Sequence, residues 1–112
     1  MRPRRGDVWL ADLDPVKGHE QGGLRPIVIL SIDEFNAGPG SLVIVIPLTS
    51  RDRGIPAHVV IEPPEGGLAK TSYALTEAVR SITKQRLVRR WGSLSRQTII
   101  TVEEWIRTLL GL

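Results

Sequence analysis

The sequence has no cysteine, few aromatic residues (three Trp, one Tyr and one Phe) and no long apolar run. The absence of cysteine excludes disulfides and zinc sites built on thiolates, and it fits a reducing compartment. With so few aromatics, a platform that stacks several bases on aromatic rings is not expected. No segment approaches the roughly 20 apolar residues of a membrane-spanning helix, so no membrane association is expected.

Several familiar motifs are also missing, among them the phosphate-binding loop, the dinucleotide fingerprint and the Gly-x-Ser-x-Gly elbow. The only two histidines are His19 and His58, and His58 lies in a strand pattern. We therefore expect no metal site and no cofactor. The basic start of the chain is followed by the polar segment 6–12 instead of an apolar signal core, which predicts a cytoplasmic protein.

The chain has 112 residues, of which 41% are hydrophobic and 24% charged, as in ordinary globular proteins. This length predicts one domain, residues 1–112. The net charge is +3 and the sequence pI is about 10.0. Most of the cationic residues are arginines, whose planar guanidinium matches phosphate and carboxylate groups. A polyanionic partner is therefore indicated, either a nucleic acid or an acidic protein segment.

Apolar alternation and short apolar runs predict a mainly β protein. The predicted strands are 7–13, 27–32, 42–46 and 58–61, followed by one bent strand or two short ones within 72–82. Residues 83–87 are expected to form a helical turn. Thr101 and Glu104 fit a capping box, which predicts a C-terminal helix starting at Thr101. Its apolar face would hold Val102, Trp105, Ile106, Leu109 and Leu110. The pattern favours a small twisted or barrel-like antiparallel sheet with this helix packed on it.

Three polar clusters lie where predicted loops meet strands. They are His19-Glu20-Gln21 with Arg25, then Thr49-Ser50-Arg51, and Thr76-Glu77 with Arg80. If the fold brings them together, they supply what metal-free RNA cleavage needs: cations, hydroxyl donors and groups for proton transfer. Each of the three clusters also has a purely structural explanation, which stays open. Arg25 would pair with a nearby acid, Thr49 and Ser50 would be turn residues, and Glu77 and Arg80 would form a cross-strand ion pair.

Five motifs in order carry a family resemblance. They are Arg5-Gly6-Asp7-Val8-Trp9, Asp14-Pro15 with Gly18-His19-Glu20-Gln21, Arg25-Pro26-Ile27-Val28-Ile29, Pro47-Leu48-Thr49-Ser50, and Arg80-Ser81-Ile82 with Lys84-Gln85-Arg86-Leu87. In these residues the chain resembles the MazF/PemK-like toxins of bacterial type II toxin–antitoxin modules. The resemblance covers residues 5–87, and the predicted C-terminal helix also fits it.

The resemblance implies a small SH3-like antiparallel barrel of the CcdB/PemK type with a C-terminal helix, assembled as a homodimer. It implies a sequence-specific mRNA interferase, an endoribonuclease that cuts single-stranded RNA by attack of the 2′-hydroxyl, with neither metal nor cofactor. It also implies a cognate antitoxin whose acidic tail covers the site.

Carried over to this sequence, the resemblance makes Arg25 and Thr49 the main catalytic pair, with Glu77 as the acidic residue near the site. By the same resemblance, the residues expected to contact the substrate are His19, Glu20, Gln21 and Ser50. The neighbouring cations Arg51 and Arg80 are also expected to bind RNA. The chain departs from the family pattern at Ala78, where many members have Gln. That change bears on base preference and leaves the reaction unaffected.

Arginine stays protonated in nearly every protein setting. Our hypothesis is therefore that Arg25 stabilises the phosphorane, Thr49 donates to a non-bridging oxygen, and Glu77 or His19 removes the 2′-hydroxyl proton. Two alternatives belong to the same fold: a toxin that poisons DNA gyrase, and a cleavage-inactive homologue that only binds antitoxin. Gyrase poisons end in Trp-Gly-Ile, whereas this chain ends Leu110-Gly111-Leu112.

Overall fold

A computed structural model describes residues 2–14 and 23–112 of the chain. In chain order its elements are β1 (Asp7–Asp12), β2 (Leu24–Ile29), α1 (Asp33–Ala37), β3 (Leu42–Thr49), β4 (His58–Ile61), β5 (Ser72–Leu75), β6 (Arg80–Thr83), β7 (Leu87–Ser93) and α2 (Arg96–Leu110). Single 3-10 turns lie at Glu65–Gly67, Thr76–Ala78 and Lys84–Arg86. The helical turn expected within 83–87 and the division of 72–82 into two short strands are therefore confirmed.

All strand pairs of the sheet are antiparallel, in the order β4-β5-β3-β2-β1-β7. β6 pairs with the first half of β3, on the side where β5 pairs with its last two residues. The predicted mainly antiparallel fold with a C-terminal helix is confirmed. The expected barrel needs one correction, because within the described residues β4 and β7 remain sheet edges and the sheet does not close.

Apolar side chains are buried on both faces of the sheet, which explains the continuous apolar run of β3. Alternate residues of a strand face opposite sides, and two buried clusters follow this alternation. The first contains Val28 and Ile46, and Val102 of α2 is fully buried in it. The second contains Ile27 and Val45. The central strands therefore stabilise two cores, and α2 covers the first.

The start of α2 differs from the sequence prediction. Ser95 is the N-cap, and its side-chain oxygen accepts a hydrogen bond from the backbone N–H of Thr98 at 3.2 Å. Thr101 instead lies within the helix, where its hydroxyl donates to the carbonyl of Gln97 at 3.1 Å. The capping-box pattern at Thr101 was therefore misleading, because a cap several residues earlier starts the helix.

The predicted apolar face of α2 is only partly correct. Trp105 and Ile106 pack against the first cluster with Ile99, whereas Leu109 and Leu110 are 47% and 65% exposed. The last turn of the helix therefore extends beyond the sheet that the first turns cover. No helix in residues 2–14 and 23–112 combines the length and apolarity needed to cross a membrane.

Strand β7 was not predicted from the sequence. Val88, Arg89 and Arg90 are all exposed, so the segment lacks the alternation of a half-buried strand. The pairing with β1 is also irregular, with register shifts between Val8 and Trp9 and between Leu10 and Ala11. Such irregularities change which side chains face the core. They interrupt the alternation of apolar and polar residues from which a strand is predicted.

The 3-10 turn at Glu65–Gly67 packs directly on the backbone of β7. A Cβ on Gly67, whose φ is +70°, would overlap the carbonyl oxygen of Trp91. A Cβ on Gly92 would lie 2.7 Å from the carbonyl carbon of Gly66. The Glu65 carboxylate also accepts a hydrogen bond from the backbone N–H of Ser95 at 2.9 Å. These contacts connect the segment before β5 to β7 at the far edge of the sheet, and no strand pairing within residues 2–14 and 23–112 makes this connection.

We expect Gly67→Ala to lower the free energy of unfolding by at least about 2 kcal/mol, because the added methyl meets backbone and the residue must keep a positive φ. Gly40→Ala is the matched control, since a Cβ at that position would have nothing within 4 Å and the φ of Gly40 is not positive. Urea unfolding of both variants measures the difference. Equal stabilities would contradict the close packing of the turn on β7.

Candidate functional site

Arg25 and Thr49 lie on neighbouring strands, at the start of β2 and the end of β3. The β2–β3 register pairs Ile27 with Pro47. Continuing the same antiparallel register towards the start of β2 sets Arg25 opposite Thr49. β2 begins at Leu24, earlier than predicted, so Arg25 is held within a strand that also pairs with Ala11 of β1. The sheet therefore fixes the backbone of both residues.

Both residues line one cavity of about 270 Å³, which we call the Arg25 cavity. Its lining comes from β2, the end of β3, the segment before β5 and β7: Leu24, Arg25, Pro26, Leu48, Thr49, Ser50, Leu68, Ala69, Lys70, Ser72 and Trp91. The cavity thus combines two cationic side chains and three hydroxyls with apolar walls. Such a site suits a ligand that has both an anionic and an apolar part.

Thr49 is buried, with 8% of its surface exposed, and its hydroxyl oxygen accepts a hydrogen bond from the backbone N–H of Arg51 at 3.2 Å. No acceptor for the Thr49 hydroxyl hydrogen is found in the part of the chain that the structure describes. Thr49 can therefore donate to a bound anion. The Ser72 hydroxyl is used differently, since it donates to the carbonyl of Lys70 at 3.0 Å and so braces the loop before β5.

Glu77 does not line the Arg25 cavity. Its carboxylate oxygen lies 2.8 Å from Nε2 of His58, whose side chain is 3% exposed against 48% for Glu77. The neighbouring Thr76 is buried and its hydroxyl donates to the carbonyl of Ala57 at 2.7 Å. The alternative of a Glu77–Arg80 ion pair is wrong, because His58 is the partner of Glu77. The catalytic role of Glu77 stays a prediction.

The other predicted site residues fall into three groups. Ser50 lines the Arg25 cavity next to Thr49. Arg51 is exposed, and Arg80 lies in β6 opposite Val45; neither is part of the cavity lining. His19, Glu20 and Gln21 lie outside the described residues. RNA binding by all of these residues stays a prediction.

Lys70, Ser72 and Trp91 were not identified from the sequence, although each lines the Arg25 cavity. Trp91 was missed because β7 itself was not predicted. Lys70 follows the glycine pair at 66–67, which signals only a turn in the sequence. Only the packing of that turn on β7 shows that both segments reach the same cavity.

Tyr73 of β5 is the register partner of Thr49 and the one titratable side chain of that strand. Partial removal from water, followed by the carboxylates of Asp52 and Glu62 and a hydrogen bond to Asp52, raises the pKa of Tyr73 above its usual value of 10.0. Tyr73 is therefore neutral at physiological pH and is no candidate for a general base.

A second cavity, of about 310 Å³, lies where β2 ends and β3 begins, opposite the Arg25 cavity along these strands. Three cations line it, Arg2, Arg4 and Lys84, together with Asp33 and Asn36. It lacks the buried hydroxyl that Thr49 gives the Arg25 cavity. Among the described residues no group of three His, Cys, Asp or Glu side chains is placed to hold a metal ion.

The fold matches solved structures over nearly its whole length. The crystal structure of MazF from Deinococcus radiodurans superposes with a TM-score of 0.88 at 28% identity, covering 100% of this chain and 99% of that one. A MazE–MazF crystal structure from the same organism gives 0.82 at 28% identity, with coverage of 100% and 98%. The open sheet with its C-terminal helix is therefore the fold of a MazF-type toxin.

Comparison of the amino-acid sequence with known proteins points to the same type of toxin. The chain is 43% identical over 110 residues to Endoribonuclease MazF of Staphylococcus epidermidis, covering 97% of this chain and 92% of the relative. It is 44% identical over 111 residues to Endoribonuclease MazF of Staphylococcus saprophyticus, with the same coverage. The profile of the PemK-like, MazF-like toxins of type II toxin–antitoxin systems matches residues 4–110. The chain belongs to this toxin family.

Proposed function

We propose that this chain is the toxin of a type II toxin–antitoxin module and acts as a sequence-specific, metal-independent endoribonuclease on single-stranded RNA, with mRNA as the expected target. The whole chain, residues 1–112, would work as one toxin domain in the cytoplasm, where mRNA is found. The observation that carries the proposal is the joint presence of Arg25 and Thr49 in one cavity. Relatives named Endoribonuclease MazF at 43% and 44% identity support the activity.

In the proposed reaction the 2′-oxygen attacks the adjacent phosphorus and the bond to the 5′-oxygen breaks, giving a 2′,3′-cyclic phosphate and a 5′-hydroxyl. Negative charge grows on the non-bridging oxygens of the phosphorane. A fixed guanidinium and a hydroxyl donor stabilise that charge best when they are already oriented. Arg25 supplies the guanidinium, and Thr49 supplies a hydroxyl whose oxygen is anchored by the N–H of Arg51 at 3.2 Å.

A base must take the proton of the 2′-hydroxyl, and solvent water supplies the proton that the leaving 5′-oxygen gains. Arginine side chains stay protonated in nearly every protein setting, so Arg25 is not proposed as the base. Glu77 and His19 remain the two proposed bases. The Glu77 carboxylate is half exposed and is held by His58 at 2.8 Å, which orients it without removing it from solvent.

A homodimer and an acidic antitoxin are proposed as partners of this chain. The net charge of +3 supports an acidic partner, and a related toxin of known structure crystallises with MazE. The gyrase-poison alternative has less support, since Arg25 and Thr49 line one cavity and the relatives at 43% and 44% identity are named as endoribonucleases.

We expect the purified protein to cut a long unstructured RNA in EDTA at a short recurring motif, leaving 5′-hydroxyl ends. Arg25→Ala should lower the rate at least about 100-fold, because it removes the charge that stabilises the phosphorane. Arg107→Ala is the matched control, since Arg107 is exposed on α2 and lies outside the Arg25 cavity. Gel analysis and mapping of the cut ends measure both effects. Intact RNA with the unaltered protein, or full activity of Arg25→Ala, would contradict the proposal.

The pH dependence of cleavage tests the general base. A base must be deprotonated to act, so the rate should fall on the acid side of its pKa, and removing the base should flatten that limb and lower the maximum at least about 100-fold. Glu77→Gln and His19→Gln are compared with Glu104→Gln, a change on the exposed side of α2. If both of the first two variants keep the rate and the pH profile of the unaltered protein, the proposed proton transfer is wrong.

A further inference from the structure

The cavity of about 310 Å³ at the other end of β3, which we call the Arg4 cavity, has more cations than acids in its lining. Arg2, Arg4 and Lys84 line it against a single acid, Asp33. None of the three cations belongs to an ion pair in residues 2–14 and 23–112. Arg2 and Arg4 are exposed, and the half-buried Lys84 makes one long hydrogen bond, 3.4 Å, to the carbonyl of Gly38. All three can therefore reach a ligand.

The backbone that carries these cations is fixed by hydrogen bonds. The backbone N–H of Arg4 donates to the buried carboxylate of Asp7 at 2.9 Å, and the preceding Pro3 is buried. The backbone N–H of Lys84 donates to the carbonyl of Ser41 at 2.9 Å. Binding therefore has to order the side chains but not the segments that carry them, which lowers its entropic cost.

The polar residues of α1 in the same lining already have partners within the fold. The Asp33 carboxylate accepts a hydrogen bond from the backbone N–H of Arg5 at 2.8 Å. The Asn36 amide donates to the carbonyl of Ser31 at 2.9 Å, and the Ser31 hydroxyl donates to the amide oxygen of Asn36. These groups hold α1 in place, so an incoming ligand meets mainly the three cations.

The walls of the Arg4 cavity favour an anion that carries no ring. Proteins that bind single-stranded nucleic acid usually combine positive charge with aromatic side chains on which bases stack. No aromatic side chain of the described residues lines the Arg4 cavity, and its apolar lining consists of Pro3 and Ala37. An arginine fork matches a carboxylate in a bidentate pair. A carboxylate side chain of a protein therefore fits this cavity better than a nucleotide.

The Arg4 cavity is also distant from the Arg25 cavity. Thr49, the last residue of β3, lines the Arg25 cavity, whereas Lys84 is hydrogen-bonded to Ser41, just before β3. The eight residues of β3 span about 23 Å at about 3.3 Å per residue. An extended peptide that reaches both cavities needs roughly seven residues between its two contacts. Such a segment would bind more tightly than through either cavity alone.

We propose that the Arg4 cavity binds carboxylate side chains of an acidic protein segment and anchors that segment at a distance from the Arg25 cavity. Arg2, Arg4 and Lys84 are the residues that contact it. The inference gives a binding surface to the acidic partner named under the proposed function, and it rests on that part of the proposal. It does not depend on RNA cleavage.

The first test measures binding of a fluorescein-labelled octaglutamate peptide by anisotropy. Arg25→Ala is present in every protein used, so that the other cavity contributes less. Adding Arg4→Met and Lys84→Met should raise Kd at least about tenfold, because charge-assisted hydrogen bonds are lost. The matched control adds Arg96→Met and Arg107→Met, which remove the same charge from exposed positions of α2 outside both cavities. An equal rise in Kd with the control would show attraction to net charge alone and would overturn the site.

The second test needs no substitution, so it remains decisive if a variant folds poorly. Unlabelled octaglutamate is titrated into the ¹⁵N-labelled unaltered protein, and the backbone amide resonances are followed by NMR. We expect the largest shifts at Arg4, Asp33 and Lys84. Shifts confined to residues that line the Arg25 cavity would overturn the Arg4 site and leave the acidic partner in place. If the peptide binds nowhere on the protein, the acidic partner is wrong and the Arg4 site with it.

The third test separates a protein segment from RNA as the occupant. The same variants are measured with an oligoribonucleotide that carries 2′-deoxy sugars and cannot be cleaved. We expect Arg4→Met with Lys84→Met to change its Kd no more than the α2 control does. A loss of RNA binding as large as the loss of octaglutamate binding would overturn the assignment to an acidic protein segment. RNA cleavage by the unaltered protein, compared with Arg25→Ala, tests the nuclease separately from all three results.

Discussion

The contact of the turn at 65–67 with the backbone of β7 is the constraint on which the candidate site depends. The sheet is open within the described residues, and no hydrogen-bond ladder joins its two edges. Close approach at Gly67 and Gly92 takes the place of that ladder. Glycine is required there because any Cβ would meet backbone, which cannot move aside as a side chain can. The cavity that contains Arg25 has Lys70 on one wall and Trp91 on another only because this contact holds.

The motif 5–9 shows that a family signature need not be catalytic. Asp7 is only 3% exposed and accepts hydrogen bonds from the backbone N–H of Arg4 at 2.9 Å, the indole of Trp9 at 3.2 Å and the guanidinium of Arg90 at 3.2 Å. Gly6 has a φ of +91° and its N–H donates to the carbonyl of Ile29 at 2.7 Å. A buried carboxylate is stable only with donors of this kind, so the motif joins the chain start to β2 and β7.

The central strands were predictable because their residues obey simple periodicity. β1, β3 and β4 bury alternate or continuous apolar residues, and the predicted starts at positions 7, 42 and 58 agree with the structure. β7 was not predictable, since its register shifts and its exposed Arg89 and Arg90 hide the period. The false helix start at Thr101 had a local cause too. Thr101 and Glu104 match the capping-box pattern, but α2 already begins at Arg96, after the Ser95 N-cap.

The candidate site was predictable to the extent that it lies on regular strands. Arg25, Thr49 and Ser50 come together through the β2–β3 register; the sequence predicted the two strands and the polar residues at their ends, but not the pairing. Lys70 and Trp91 depend on a turn-to-strand contact between distant segments, and the His58–Glu77 pair depends on the β4–β5 register. Pairing between segments far apart in sequence leaves no local signal, so these residues emerge only from the three-dimensional structure.

The proposed chemistry requires the scissile phosphate to bind in the Arg25 cavity. A crystal structure of the protein with an oligoribonucleotide that contains its cleavage motif and a 2′-deoxy sugar at the cut site would show where that phosphate lies. We expect the phosphate oxygens within hydrogen-bonding distance of the Arg25 guanidinium and the Thr49 hydroxyl. A bound strand whose phosphate lies instead among Arg2, Arg4 and Lys84, with no nucleotide near Arg25, would contradict this placement.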